Sequence, residues 1–293
     1  MFTIPRITLS QQQSYERKLI LFERLIPSPF RFSEQNLLGL GDVIVRQFII
    51  ILFTATLVLG WGKTGHRVIG KIAEENLSPK AKAELIKIFG HSDLARIANW
   101  ADEIKSDPEW KHANDWHYCT VLDSMDYRGP EDGGRAVQKV TEFSDFLKKG
   151  MLDEKDQKDV LRFIVHIVGD LHQPLHVGNG TDRGGNSVKV SWFWEDSNLH
   201  RVWDSQMIDG MQYSYTEYAQ QIQLGLSEAD KASMLDPDIL NFVHNSRAVH
   251  PQVYDIGDGK LSYEYVYKNR ELMEDRLLKG GFHLAALLND IFE

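Results

Sequence analysis

Apolar residues recur at helical spacing through most of the chain beyond residue 60. Val68, Ile69, Ile72 and Ala73 share one face of a helix predicted over 63–76. Ser78 and Pro79 then read as the N-cap and first residue of a second helix running toward Gly90, because a hydroxyl can accept an orphan N–H there and proline has none to lose. Val137, Val140, Phe143 and Leu147 form an apolar stripe that Gly150 ends. Residues 156–171 are apolar nearly all round, the pattern of a central buried helix, and Pro174 stops it. Helical spacing returns over 214–227, 236–249 and 270–292. The run SVKVSWFW, introduced by the turn sequence DRGGN at 182–186, alternates instead with period two and predicts a short strand or hairpin near 187–194. No internal repeat or linker divides this region. The expected class is mostly α, a single compact helical domain with a small β-hairpin.

The first sixty residues follow another logic. Phe48 to Gly60 reads FIIILFTATLVLG, thirteen uncharged residues preceded by Arg46 and followed by a polar stretch opening at Trp61. That run is too short to span a bilayer comfortably. A positive residue, an apolar run and small residues before a polar start are the parts of a secretory signal peptide, here with Val58 and Gly60 at the −3 and −1 positions. Residues 43–60 are therefore expected to be a signal peptide and 61–293 the functional domain. Residues 1–42, mixed in charge and without a clear period, read as a leader or as the product of an upstream start codon.

Composition narrows the chemistry. The 293 residues are 42% hydrophobic and 26% charged, enough for a sizeable core and unlike collagen-like or low-complexity chains. Cys119 is the sole cysteine, so no intramolecular disulfide can form, and an exported chain of this kind fits a bacterial periplasm or bacterial secretion. The sequons at 76–78 and 179–181 would carry glycans only in a eukaryotic secretory pathway. Net charge is −9, and −11 once residues 1–60 are set aside, so a basic footprint for nucleic acid or anionic lipid is missing. Any phosphate chemistry must bring its own positive charge.

His166 and Asp170 lie four residues apart on the central helix, which puts an imidazole and a carboxylate on one face. A charged Asp on an apolar helix is costly unless something cationic meets it. A lone buried histidine is usually a satisfied core residue, but His176 follows just after the helix break and NLHRVWD supplies a second His-x-x-x-Asp, His200 and Asp204. Upstream, NWADEIK sets Asp102 beside Trp100, NDWHYC sets His117 beside Trp116, and WGKTGH runs from Trp61 to His66 at the expected new N-terminus. Imidazole and carboxylate groups without thiolates suit Zn²⁺, and nine candidate ligands exceed what one tetrahedral ion can use. The economical reading is a multinuclear zinc site.

The ordered set WGxxGH, WADxIK, W-H-Y, HxxxDxxxxxH (as HIVGDLHQPLH), DRGGN and NLHxxWD resembles the trinuclear-zinc nucleases of the S1/P1 type, over essentially all of 61–293. The resemblance implies an α-helical domain related to zinc-dependent phospholipase C, and three Zn²⁺. It implies Asp102, His117, His166 and Asp170 as ligands of one zinc. Asp170 would bridge to a second, held also by His66 and by the amino group and carbonyl of Trp61, while His176, His200 and Asp204 would hold the third.

The same resemblance implies hydrolysis of single-stranded DNA or RNA to 5′-phosphorylated products, with 3′-nucleotidase activity. Asp170, His166 and Asp102 would be its catalytic residues. Two zinc ions sharing a water would lower its pKa until it attacks phosphorus near neutral pH, and the third would stabilise the leaving 3′-oxygen. Three such ions add +6 locally, which explains how an acidic, monomeric protein could bind a polyanion. Tyr118 is a candidate base-stacking ring, or else a core aromatic. Lys105, one turn from Asp102, could meet a phosphate or a carboxylate beside the metals. Thr120 stands where the family more often has a carboxylate or amide, and FVHNS at 242–246 departs from the family pattern at Asn245, expected to be peripheral. His91, His112, His244, His250 and His283 are expected to be surface or structural, and His172 to support the site. A zinc-dependent phospholipase C and a non-catalytic zinc-binding protein are the alternative readings.

Overall fold

The computed structural model describes residues 61–122 and 126–293. The expected leader and signal peptide, 1–42 and 43–60, lie outside the described residues. Seven longer helices carry the fold: α1 (Lys63–Glu75), α2 (Pro79–Phe89), α3 (Ala136–Lys148), α4 (Glu154–His172), α5 (Tyr215–Gln223), α6 (Ile239–Ala248) and α7 (Tyr263–Phe292). Short helical turns join them. None of the described helices is long and apolar enough to cross a membrane.

Local chemistry sets most of these boundaries. Ser78 Oγ accepts the Ala81 N–H at 3.1 Å, Pro79 opens α2, and Gly90 ends it in the left-handed conformation at φ 78°. Asp153 caps α4 by accepting the Asp156 N–H. From Val160 to His172 every residue of α4 but Arg162 is buried, because α1, α3, α6 and α7 all pack around it. Its side chains Leu161, Ile164, Ile167, Val168 and Leu171 belong to one apolar core with Ile69 and Ile72 of α1 and Leu277, Leu284 and Leu288 of α7. Each such burial contributes about 1.5–3 kcal/mol relative to exposure. That core holds α4 rigid, and α4 carries His166 and Asp170.

The β structure is larger than the alternating run suggests. β1 (Cys119–Thr120) and β2 (Val177–Gly178) form a two-residue parallel pair, Cys119 opposite Val177. β3 (Lys189–Trp192) pairs antiparallel with β4 (Glu195–Asn198), Trp192 opposite Glu195, and parallel with β5 (Lys260–Leu261). The hairpin tip therefore falls at Phe193 and Trp194, both at positive φ.

The C-terminal helix begins at Tyr263, seven residues before the periodicity indicates. Its first turns bury Tyr265 and Asn269 rather than aliphatic residues, so the apolar stripe is hard to see in sequence. Tyr265 is held by two hydrogen bonds: its hydroxyl accepts from Trp203 Nε1–H at 2.8 Å and donates to Val253 O at 2.6 Å. Residues 224–227 are not helical, and a short capped helix, Glu228–Ser233, follows them.

A candidate metal centre built from seven segments

The candidate residues come from separate parts of the chain. His66 lies on α1, Asp102 on a four-residue helix (Trp100–Glu103), and His117 at the end of a 3-10 stretch (Pro108–His117). His166 and Asp170 project from α4, and His176 ends a 3-10 turn (Pro174–His176). His200 sits on a short turn (Leu199–Arg201) and Asp204 within a π-helical segment (Val202–Gln206), a helical irregularity common at functional sites. All eight side chains are buried.

Second hydrogen bonds orient the imidazoles. His166 Nδ1 donates to Ala98 O at 2.7 Å, His176 Nδ1 to His117 O at 2.6 Å, and His200 Nδ1 to Gly184 O at 2.6 Å. Each bond turns Nε2 toward the others, the ring orientation a metal ligand needs. The DRGGN turn explains its glycine here: Gly184 has φ 60°, and a Cβ on it would fall 2.3 Å from Leu175 O. The β1–β2 pairing brings the segments of His117 and His176 side by side.

The polar atoms converge in three sets, each with one potential ligand atom per residue within 4.8 Å of the others: His66, Asp102 and His166; His117, His166 and Asp170; and His176, His200 and Asp204. Asp170 is central. Its Oδ2 lies 3.0 Å from His117 Nδ1 and 3.2 Å from His166 Nε2, while its Oδ1 lies 3.3 Å from His66 Nε2 and 3.6 Å from His176 Nδ1. The His66 and His166 rings stack, centroids 3.9 Å apart and planes 19° from parallel. His200 Nε2 is 3.0 Å from Asp204 Oδ2.

Electrostatics follow from this crowding. Burial works against the charge on His166, yet Asp170 and Asp102 outweigh it and push its pKa up to about 10. Burial, helped by the neighbouring His166, lowers His66 to about 4, and burial likewise lowers His117 to about 4. Asp170 and Asp102 lie well below the usual carboxylate range, because His166 overcomes the effect of their burial. Burial raises Asp204.

The donor set fits a cation. Both ring nitrogens of His66, Nε2 of His166, His176 and His200, and Oδ1 of Asp170 are buried without a hydrogen-bond partner. At about 1–3 kcal/mol for each orphaned atom, the six together cost about as much as the whole margin of a typical domain. Divalent cations would satisfy Asp170 Oδ1, Nε2 of His166, His176 and His200, and one of the two His66 nitrogens, the other carrying the ring proton.

The remaining candidates take distinct places. Trp61 is fully buried, and the next residue, Gly62, donates its N–H to Asp204 O at 2.5 Å, which ties the start of the described chain to the third set. Lys105 Nζ meets Asp102 Oδ1 at 2.5 Å. Tyr118, beside His117, is 41% exposed, unlike a core aromatic. His172 Nδ1 donates to Val168 O, and its Nε2 accepts from His283 Nδ1, each at 2.7 Å, behind α4. His250 Nε2 donates to Pro174 O at 2.8 Å, and Ser246 of the FVHNS run donates to Leu171 O at 2.6 Å. Sequence reasoning missed Gln173, a fully buried amide that donates to Asp204 Oδ1. Nothing in the spacing of HQPLH marks it as different from a helix-end polar residue.

The sequence profile described as S1/P1 Nuclease matches residues 61–293. The chain belongs to the S1/P1 nuclease family. It is similar to Endonuclease 2 of Arabidopsis thaliana, 29% identical over 88% of this chain and 99% of that protein. It is similar also to Nuclease S1 of Aspergillus oryzae, 29% identical over 81% of this chain and 94% of the relative. Nuclease P1 of Penicillium citrinum is 26% identical over 79% and 97%. As an S1/P1 nuclease the chain is a hydrolase of phosphodiester bonds.

Proposed function

We propose that this S1/P1 nuclease is an exported, monomeric, zinc-dependent endonuclease that cleaves single-stranded DNA and RNA to 5′-phosphorylated products and also acts on 3′-nucleotides. Its functional chain is 61–293, after removal of the preceding residues. The observation that carries the reading is the convergence of partnerless buried ring and carboxylate atoms of His66, His166, Asp170, His176 and His200 on three adjacent His/Asp sets. Three Zn²⁺ are assigned, held by Asp102, His117, His166 and Asp170, by Trp61, His66 and Asp170, and by His176, His200 and Asp204.

When bound, the ions supply Lewis-acid polarisation of the phosphate and an acidified water. The protein's part is orientation. Ala98 O, His117 O and Gly184 O hold three imidazoles with Nε2 inward. Asp170 turns one oxygen to the His117–His166 side and the other to His66, the arrangement a bridging carboxylate requires. Tyr118 presents a ring beside His117 on which an unstacked base can lie, and such a base is available only in a single strand. Lys105 keeps an ammonium against Asp102, where it offsets carboxylate charge next to an incoming phosphate.

The test uses a chain beginning at Trp61, with zinc counted by native mass spectrometry and hydrolysis measured on denatured DNA, duplex DNA and phosphatidylcholine. Three zinc ions with preferred cleavage of denatured DNA are expected. Hydrolysis of phosphatidylcholine alone would indicate a phospholipase C, and zinc uptake without turnover a metal-storage protein. Either result overturns the proposal.

A further inference from the structure

Gln173 stands between the Asp170 side of the cluster and the His176–His200–Asp204 set and belongs to none of the three groups. Its backbone N–H donates to Asp170 O at 2.9 Å, closing the last turn of α4, and its side chain is fully buried. The orientation of the amide is determined from both ends. Oε1 accepts the Leu175 N–H at 2.5 Å, so the opposite atom is nitrogen, and that Nε2 donates to Asp204 Oδ1. With Oδ1 committed, Asp204 turns Oδ2 toward His200 Nε2, 3.0 Å away, while His176 Nε2 stands 3.8 Å from Oδ1. Gln173 also links two segments far apart in sequence, the end of the Asp170 helix and the π-helical turn of Asp204.

We infer that Gln173 is a positioning residue for the third metal set: it holds one oxygen of Asp204 in a hydrogen bond and presents the other, singly, to a divalent cation shared with His176 and His200. The inference rests on the zinc reading proposed above. Hydrogen-bonded partners of metal ligands of this kind typically change metal affinity by about 10–100-fold when removed. A purely structural amide would instead contribute equally whether or not Asp204 is a carboxylate.

The experiment loads the parent chain beginning at Trp61, Gln173→Met, Asp204→Asn and the double variant with zinc. Each is titrated with a zinc chelator, and the ions retained are counted by native mass spectrometry. Gln173→Met is expected to release one of three ions at roughly 10–100-fold higher free zinc than the parent does, and to keep the other two. Asp204→Asn should release the same ion, and the double variant should be no weaker than Asp204→Asn alone. If Gln173→Met fails to fold, Gln173→Glu carries the same expectation, since it retains the acceptor for Leu175 and replaces the donor with a repelling oxygen. A parent that binds three ions, with a Gln173 variant that matches its affinity, overturns this inference alone. So does a Gln173 effect that persists undiminished in the Asp204→Asn background. A parent that takes up no third ion overturns the zinc reading and this inference with it.

Discussion

Gly169 and His66 touch across the interface of α4 and α1 so closely that a Cβ on Gly169 would fall 2.7 Å from His66 Nδ1 and 3.0 Å from its Cε1. The residue before Asp170 is thus a glycine because an imidazole from another helix lies against it. Gly169→Ala should displace the His66 ring. A loss of about 10–100-fold in kcat/KM is expected, with one zinc bound more weakly and the helix content unchanged, since alanine favours helix. Parent-like zinc retention in chelator titrations would show that the ring does not have to sit there.

Asp170 is the carboxylate that most of the candidate imidazoles share, within 3.6 Å of His66, His117, His166 and His176. Asp170→Asn should therefore abolish activity more completely than any other single ligand substitution and unload more than one ion. The measurement is zinc stoichiometry beside the cleavage rate. Three retained ions with near-normal rates would exclude a bridging role.

Trp61 is fully buried, with the adjacent Gly62 tied to Asp204 O. An α-amino group binds zinc only when free and neutral, whereas an amide nitrogen within a chain is a poor donor. A chain beginning at Trp61 should bind one more zinc than the same chain preceded by Gly-Ser and should be at least about 100-fold more active. Equal zinc content and activity in the two would remove Trp61 from the ligand set.

Tyr118 is exposed beside a buried ligand candidate, so it can contribute to substrate affinity without supporting the core. Tyr118→Ala should raise KM for single strands by about 5–150-fold, the range of a base–aromatic stack of about 1–3 kcal/mol, with kcat changed less. Tyr118→Phe should restore KM. An unchanged KM would place the base elsewhere.

His172 and His283 form a buried neutral pair. Burial and His283 hold His172 well below its ordinary value, and burial with Arg276 nearby lowers His283 to about 4. Because the folded-state values lie below the unfolded value near 6.5, stability is complete above that pH and falls as the pH drops from 6.5 toward 4. At pH 5, His283 alone should cost about 2 kcal/mol. His283→Gln keeps a donor for His172 and cannot titrate, so its Tm should fall by about 4–8 °C less than the parent's between pH 7 and pH 5. Comparing the two proteins cancels the acid sensitivity of the metal-site histidines. An identical fall would mean that the pair does not govern acid stability.

What the sequence determines by itself is what local hydrogen bonding and side-chain period determine. The Ser78–Pro79 start and Gly90 end of α2, the all-round apolar character of α4 and the placement of His166 and Asp170 on one of its faces are properties of neighbouring residues. So is the choice of ligand chemistry, because imidazoles and carboxylates without thiolates suit zinc wherever they meet. The start of α7 escapes this reading because Tyr265 and Asn269 occupy its buried face in place of aliphatic residues. Only the tertiary structure decides the rest. It stacks His66 on His166, sets His117 beside His176 through two residue pairs of β-sheet, and aims Gln173 at Asp204. These contacts join segments up to a hundred residues apart, and they depend on how close two helices can pack and where a glycine admits a ring. No one-dimensional period records those distances, which is why the ligand types are readable along the chain while the grouping of their atoms is a property of the packed core.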